Sequence, residues 1–115
     1  MPIIRTDDLG HIYRTGKIEL TALNSINLAI EEREFLSIIG PSGSGKTTLL
    51  NIIGALDSPS HGKIFFEEED VTEASSARLA EIRLRKIGFV FQAYNLIPVL
   101  TAFENVEYVM LLQGI

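Results

Sequence analysis

The chain has 115 residues and a formal net charge of −5, which allows one domain with a modest hydrophobic core. It contains no cysteine, so disulfides, iron–sulfur clusters and thiolate zinc sites are excluded. The negative charge disfavours nucleic acid as the main partner, no apolar run approaches the roughly 20 residues that span a bilayer, and the first residues carry no secretory signal pattern.

The N-terminal third of the chain predicts β-structure. A short strand is expected around Tyr13, and residues 15–17 supply a turn after it. Further on, Ile26, Leu28 and Ile30 alternate with more polar neighbours, which is the period of two expected of a strand with one buried face. These patterns predict β-structure, with two candidate strands, at the start of the chain.

Two strongly apolar segments predict strands that are buried on both faces. Residues 35–39 and 87–91 contain almost no polar side chain, as is typical of a parallel sheet covered by helices. A third, shorter strand is predicted at residues 63–66. The acidic run at residues 67–70 is interpreted as a solvated turn, because adjacent carboxylates are more often exposed than metal-binding.

Three helices are predicted between and after these strands. The first follows residue 47 and ends at Gly54, and the second covers residues 76–86 with Leu79 and Ile82 on one side. Thr101, with a glutamate three residues later, forms a capping box that begins the third helix. The apolar stripe of this last helix consists of Phe103, Val106 and Met110.

Residues 40–47 match the phosphate-binding loop pattern G-x-x-x-x-G-K-[ST], and they lie between a predicted strand and a predicted helix. Glycines let successive backbone N–H groups point at an anion, and the helix N-terminus adds the positive end of its dipole. Lys46 would reach the β- and γ-phosphates, and the Thr47 hydroxyl would ligate Mg²⁺. The alternative is a Gly/Ser turn that only connects a strand to a helix. Phosphate contacts are expected from Gly40, Ser42, Gly43, Ser44, Gly45, Lys46, Thr47 and Thr48.

Over its whole length the chain resembles the ATP-binding subunit of ABC transporters. The segments that carry the resemblance are residues 40–54, 56–57, 86–92, 94–98 and 104–106. The closest similarity is to the branch that serves lipoprotein release, macrolide export and cell-division complexes. The phosphate loop alone indicates only a P-loop NTPase, whereas Phe-Val-Phe-Gln followed by Asn-Leu-Ile-Pro and Glu-Asn-Val is specific to this family.

The resemblance implies a partial α/β P-loop NTPase fold of the ABC ATPase type. This partial fold would comprise an N-terminal antiparallel β-subdomain and part of a parallel-sheet core with flanking helices. It also implies ATP and Mg²⁺ as cofactors. Tyr13 corresponds to the aromatic residue that stacks on adenine, and an aromatic face suits a base. Gln92 corresponds to the Q-loop glutamine, whose amide reaches Mg²⁺ or the attacking water without adding charge.

The partners that the resemblance implies are a transmembrane permease subunit and a second copy of the ATP-binding subunit, at the cytoplasmic face of the cell membrane. Nucleic acid is not expected as a partner. One departure from the family is Arg33, which replaces a frequent glycine, so the turn there is predicted to use another conformation.

Several hydrolytic elements of the family have no counterpart among residues 1–115. No apolar run ends in Asp-Glu, which would hold Mg²⁺ and polarise water, and the Leu-Ser-Gly-Gly-Gln signature and the switch histidine are absent. The chain is therefore expected to be the N-terminal half of such a domain, binding nucleotide without hydrolysing it. Two alternatives remain open: a truncated interaction or oligomerising module, and a small P-loop kinase.

Overall fold

A computed structural model of the chain describes residues 1–91 and 97–114. Within these residues four strands form one sheet in the order β2-β1-β3-β4, and every neighbouring pair is antiparallel. The strands are β1 (Pro2–Thr15), β2 (Ile18–Glu31), β3 (His61–Phe66) and β4 (Glu69–Asp70). The predicted antiparallel subdomain is confirmed.

The long hairpin of β1 and β2 follows the predicted pattern. Residues 16–17 form its turn, and Gly16 has a φ of +62°, a value that glycine adopts without steric cost. Ile26, Leu28 and Ile30 are half-buried while their neighbours along β2 are exposed, so the alternation is confirmed. The register between β1 and β2 shifts around Leu9 and His11, which marks an irregular stretch just before Tyr13.

The three predicted helices are observed as α1 (Lys46–Ile53), α2 (Ser76–Lys86) and α3 (Ala102–Leu112). The Ser75 hydroxyl accepts a hydrogen bond from the Arg78 amide and caps α2. The capping box at Thr101 is complete, because its hydroxyl accepts from the Glu104 amide and the Glu104 carboxylate accepts from the Thr101 amide. Local side-chain chemistry therefore sets where α2 and α3 begin.

The hydrophobic core lies between the sheet, α1 and α2. The buried apolar side chains of the described residues are Leu9, Leu23, Leu49, Ile52, Ala55, Ile64, Phe66, Val71 and Ile82. A guanidinium N–H of Arg83 donates to the Ala55 carbonyl and ties α2 to the end of α1. The Arg85 side chain donates to the Gln113 carbonyl at 3.0 Å and anchors the C-terminal end of α3.

The two apolar segments that the sequence predicts as buried strands are buried only in part. Ile38 and Ile87 pack against the core, but most of their neighbours are exposed. Phe35 is 98% exposed and Ile39 is 92% exposed, and Val90 is fully exposed. Neither segment pairs with a strand of the described sheet. The burial on both faces that this composition predicts is not reached, because an apolar strand is buried only when other segments supply its ladder hydrogen bonds and cover its faces.

The turn at Arg33 also differs from its prediction. Arg33 has a φ of +64°, the left-handed conformation that glycine would adopt there. The turn therefore keeps the backbone of a glycine turn while carrying a side chain with a Cβ. Such a residue is strained by about 1 kcal/mol or more relative to its ordinary backbone conformations.

Candidate functional site

The N-terminus of α1 is open to an anion. Its N-cap, Gly45, has no side chain with which to cap the helix, and the first turn contains no acidic residue. The first backbone N–H groups of a helix have no partner within the helix, so they can donate to a bound anion together with the helix dipole. Of the strand–loop–helix context expected from the sequence, the helix is observed, whereas residues 35–39 form no strand of the described sheet. The helix end that follows the loop carries no competing carboxylate.

Two glycines shape the loop in front of α1. Gly43 and Gly45 have φ values of +81° and +95°, which residues with a Cβ rarely adopt. A Cβ on Gly45 would overlap the carbonyl oxygen of Ala22 and approach Leu23 Cδ2 to 3.1 Å. The loop therefore rests directly on β2, and only glycine permits this contact.

Lys46 lies inside the loop. Its ammonium donates to the carbonyl oxygens of Gly40 and Pro41, the latter at 2.9 Å. The Ser44 amide donates to the same Pro41 carbonyl at 3.2 Å and closes the turn. The loop thus concentrates one formal positive charge beside the α1 N-terminus, where an ammonium can act as a point charge on phosphate.

Tyr13 reaches the same site from β1. Its hydroxyl lies 3.0 Å from Thr48 Oγ1, and Thr48 is a buried residue in the first turn of α1. The Tyr13 ring is 40% exposed, so part of it remains available to a ligand. Tyr13 and the loop share a cavity of about 270 Å³, lined by Tyr13, Leu20, Thr21, Ala22, Ser42, Gly43, Gly45, Lys46, Thr47 and Thr48.

The residues of this cavity suit a magnesium–phosphate ligand. Thr47 is exposed at the cavity and offers a hydroxyl oxygen, and no lining residue is acidic. The described residues contain no group of three or more His, Cys, Asp or Glu side chains that could hold a metal alone. Mg²⁺ usually takes only one or two protein ligands and completes its shell with phosphate and water, so the donor set fits. Gln92, the other expected ligand, lies outside the described residues.

A second groove, of about 620 Å³, lies beside β4 and the start of α2. It is larger, but its charges do not suit phosphate. The Arg78 guanidinium is bound to the Glu69 carboxylate through two hydrogen bonds, and Asp70 and Glu73 also line the groove. The cavity at Lys46 is smaller but carries an acid-free lining, so electrostatics favour it as the phosphate site.

Two features of the site were not expected from the sequence. The hydrogen bond between Tyr13 and Thr48 joins residues 35 positions apart, and no local pattern predicts it. His11 lies in β1 with its ring packed against Tyr13. The sequence signal for this ring contact is the i,i+2 spacing of His11 and Tyr13, because residues two apart in a strand lie on the same face of the sheet.

The acidic run is a solvated hairpin turn, as predicted. Glu67 and Glu68 form the turn between β3 and β4 and have positive φ values of 48° and 70°. Lys86 lies 3.5 Å from the Glu67 carboxylate, and Arg78 pairs with Glu69. The run is thus neutralised in part by cations of α2.

The family model described as ABC transporter matches residues 23–113. An ABC transporter ATP-binding protein of Thermotoga maritima is 51% identical over 94% of this chain and 46% of its own length. The macrolide export ATP-binding/permease protein MacB of Brucella abortus is 47% identical over 92% of this chain and 16% of its own. The predicted resemblance is confirmed.

Solved structures give the same result at the level of the fold. The ATP-binding cassette MJ0796, solved as a dimer in a post-hydrolysis state bound to ADP and Pi, superposes with a TM-score of 0.91 at 45% identity. The match covers 96% of this chain and 47% of that one. The chain therefore spans about half the length of the ATP-binding proteins of Thermotoga maritima and Methanocaldococcus jannaschii that it matches.

In the part of the chain that the structure describes, no helix is long and apolar enough to cross a membrane. The fold is that of a P-loop NTPase, with the phosphate loop placed between the sheet and α1. The family match over most of the chain, the structural superposition and the loop geometry agree with one another. The chain belongs to the ABC transporter family and matches about half the length of a solved ATP-binding cassette.

Proposed function

We propose that this chain binds MgATP in the cavity formed by Tyr13 and the phosphate loop. The observation that carries the proposal is that one cavity is lined by both Tyr13 and Lys46, which are 33 positions apart in the sequence. An aromatic ring and an ammonium in a single cavity match the base and the phosphates of a nucleoside triphosphate.

The roles of the residues follow from their chemistry. The amides of residues 42–48 would donate to the phosphate oxygens, for which the Ser44 amide would leave the Pro41 carbonyl. Lys46 would move from the Gly40 and Pro41 carbonyls onto the β- and γ-phosphates. The Thr47 hydroxyl would ligate Mg²⁺, and Tyr13 would stack on the adenine. Gln92 stays a prediction as a second Mg²⁺ ligand.

Titration of the 115-residue chain with a fluorescent ATP analogue in the presence of Mg²⁺ tests this proposal. Lys46→Ala should weaken binding at least ten-fold, because it removes the formal charge of the cradle. Lys63→Ala is the matched control, since Lys63 lies on β3 outside the cavity and should leave the affinity unchanged. Equal affinity of the parent chain and Lys46→Ala would reject the assignment.

We further propose that the cassette drives export or lipoprotein release by ATP hydrolysis through a membrane permease, with a second copy completing each site. Residues 1–115 should not hydrolyse ATP alone, since no Asp-Glu pair follows an apolar run. A phosphate-release assay checks this. Turnover that survives repurification and disappears in Lys46→Ala would contradict it.

Contact with the permease is proposed for the loop from Gln92 to Pro98, at the cytoplasmic face of the membrane. Residues 92–96 of this loop lie outside the described residues, so the proposal rests on the sequence, in which a polar amide precedes several apolar side chains. Replacing Leu96 and Ile97 by serine in a full-length subunit should abolish permease-stimulated ATPase and spare basal activity. Loss of folding, or unchanged stimulation, would rule against coupling.

A second candidate function, an oligomerising module, is favoured by one observation. Phe35, Ile39 and most apolar residues of α3 are exposed, and large exposed apolar surfaces commonly mark association sites. Sedimentation of the chain with and without MgATP separates the two candidates. An assembly that forms equally in Lys46→Ala and binds no nucleotide would support the module. The small kinase receives no support, since the family match is to ABC transporters.

A further inference from the structure

His11 packs edge to face with Tyr13. The two ring centroids are 4.6 Å apart and the ring planes meet at 78°. His11 does not itself line the cavity that Tyr13 shares with the phosphate loop. Any influence of His11 on a ligand in that cavity must therefore pass through the Tyr13 ring.

His11 is in turn held by Ser60, which precedes β3. Ser60 Oγ lies 3.3 Å from His11 Nδ1 and accepts a hydrogen bond from the Ile12 amide at 3.0 Å. The Ser60 amide donates to the Gly10 carbonyl at 2.9 Å. Ser60 thus makes its contacts with residues 10–12, where the register of β1 against β2 shifts and the strand would otherwise have unpaired backbone groups.

Tyr13 is consequently fixed at two points. Its hydroxyl is held by Thr48 in α1, and its ring is held by His11, which Ser60 connects to the start of β3. A tyrosine on a strand has two rotatable side-chain bonds, and immobilising them before a ligand arrives removes an entropy loss from binding. An aromatic platform for a base works best when it is preorganised in this way.

We propose that His11 is a positioning residue for the nucleotide base, acting through the ring of Tyr13, with Ser60 holding His11 in place. This inference rests on the proposed binding of ATP at the phosphate loop. It assigns the effect to the base alone, because His11 packs on the aromatic platform and is not among the described residues that line the cavity with the phosphate loop.

Two ligands separate the base from the phosphates: MgATP, and magnesium tripolyphosphate, which has no base. His11→Ala should weaken MgATP binding by about three-fold to ten-fold, the range expected for loss of an aromatic pair. Its affinity for tripolyphosphate should stay within about two-fold of the parent chain. His11→Phe keeps the ring contact but loses the hydrogen bond to Ser60, so it should restore MgATP affinity in part. Ser60→Ala loses the same hydrogen bond and should give a similar intermediate loss, for MgATP only.

His61→Ala is the matched control. His61 is the other histidine of the chain, it pairs with Gly10 across β1 and β3, and it forms no ring contact with Tyr13 within the described residues. The His61→Ala variant should bind both ligands with the affinity of the parent chain. A His61→Ala variant that weakens MgATP as much as His11→Ala would show a general effect of β1 and overturn the inference.

The remaining outcomes are also decisive. Equal losses for MgATP and tripolyphosphate in His11→Ala would show a structural role and reject the inference, as would unchanged MgATP affinity. If His11→Ala fails to fold, His11→Phe and Ser60→Ala give the same comparison, and a Ser60→Ala loss shared by both ligands would reject it. A parent chain that binds neither ligand would instead reject the proposed function itself.

Discussion

The hydroxyl of Tyr13 lies 3.0 Å from Thr48 Oγ1, so the hairpin of β1 and β2 is joined to the first turn of α1 directly beside the phosphate loop. This contact separates two roles of Tyr13. The ring would stack on the base, whereas the hydroxyl fixes the ring relative to the helix that would hold the phosphates.

Tyr13→Ala should therefore reduce MgATP affinity by about ten-fold, within the range found for base–aromatic stacking. Tyr13→Phe keeps the ring and loses only the contact with Thr48, so its affinity should fall by no more than a few-fold. Isothermal titration calorimetry of both variants checks this order. A Tyr13→Phe loss as large as that of Tyr13→Ala would assign the effect to the hydroxyl.

Gly45 and Gly43 form a natural pair for testing how closely the loop rests on β2. Both have positive φ, but a Cβ on Gly43 meets no atom within 4 Å, whereas a Cβ on Gly45 overlaps the Ala22 carbonyl. Gly43→Ala should lower the unfolding free energy by about 1 kcal/mol, and Gly45→Ala by about 2 kcal/mol more. Urea unfolding measures the difference. Equal losses would contradict the close contact.

The pair of Glu69 and Arg78 gives the chain a pH-dependent contribution to stability. Hydrogen bonding from Arg78 holds the pKa of the Glu69 carboxyl below its ordinary value. A folded pKa below the unfolded one means that the stabilisation is complete above the unfolded pKa and is lost as the pH falls through the folded one. When the pH is lowered from about 6 to about 3, the unfolding free energy of Glu69→Gln should therefore fall by less than that of the parent chain.

Urea midpoints at both pH values check this prediction at low salt, where exposed ion pairs are least screened. Glu81→Gln serves as the control, because Glu81 meets Arg85 only at 3.9 Å and should leave the pH dependence close to that of the parent chain. A Glu69→Gln variant with an unchanged or steeper acid dependence would contradict the assignment.

Phe35 and Ile39 should drive self-association rather than folding. Their exposures of 98% and 92% mean that the folded chain gains little from either side chain. Replacing both with serine should reduce the weight-average mass in light scattering without lowering the urea midpoint. Leu9→Ser is the contrast, since Leu9 is fully buried and its loss should unfold the chain. A stability loss in the double variant would show that the segment is part of the core.

The sequence predicts well whatever is decided locally. The bounds of α2, the capping box at Thr101 and the turn at Gly16 each depend on side chains within a few residues, and all three are observed. The conformation of residues 40–47 belongs in part to the same class, because Gly43 and Gly45 have positive φ and Lys46 donates to the nearby Gly40 and Pro41 carbonyls. Phosphate binding there stays a prediction.

The sequence predicts poorly whatever depends on distant segments. Residues 35–39 and 87–91 have the composition of buried strands, but burial requires neighbours that the described residues do not supply. At Arg33 the surrounding structure overrides a local preference, since the turn imposes a positive φ on a residue that disfavours it. The contact of Tyr13 with Thr48 is likewise visible only once β1 and α1 have been brought together.

The most direct test of the account follows backbone amides by NMR in the ¹⁵N-labelled 115-residue chain as MgATP is added. The amides of Gly43, Gly45, Lys46 and Thr47 should show the largest shifts, because they would donate to the phosphates at the N-terminus of α1. The same shifts should be absent or strongly reduced in Lys46→Ala. Shifts confined to the groove beside Arg78, or no shifts in the phosphate loop at saturating MgATP, would contradict the proposed site.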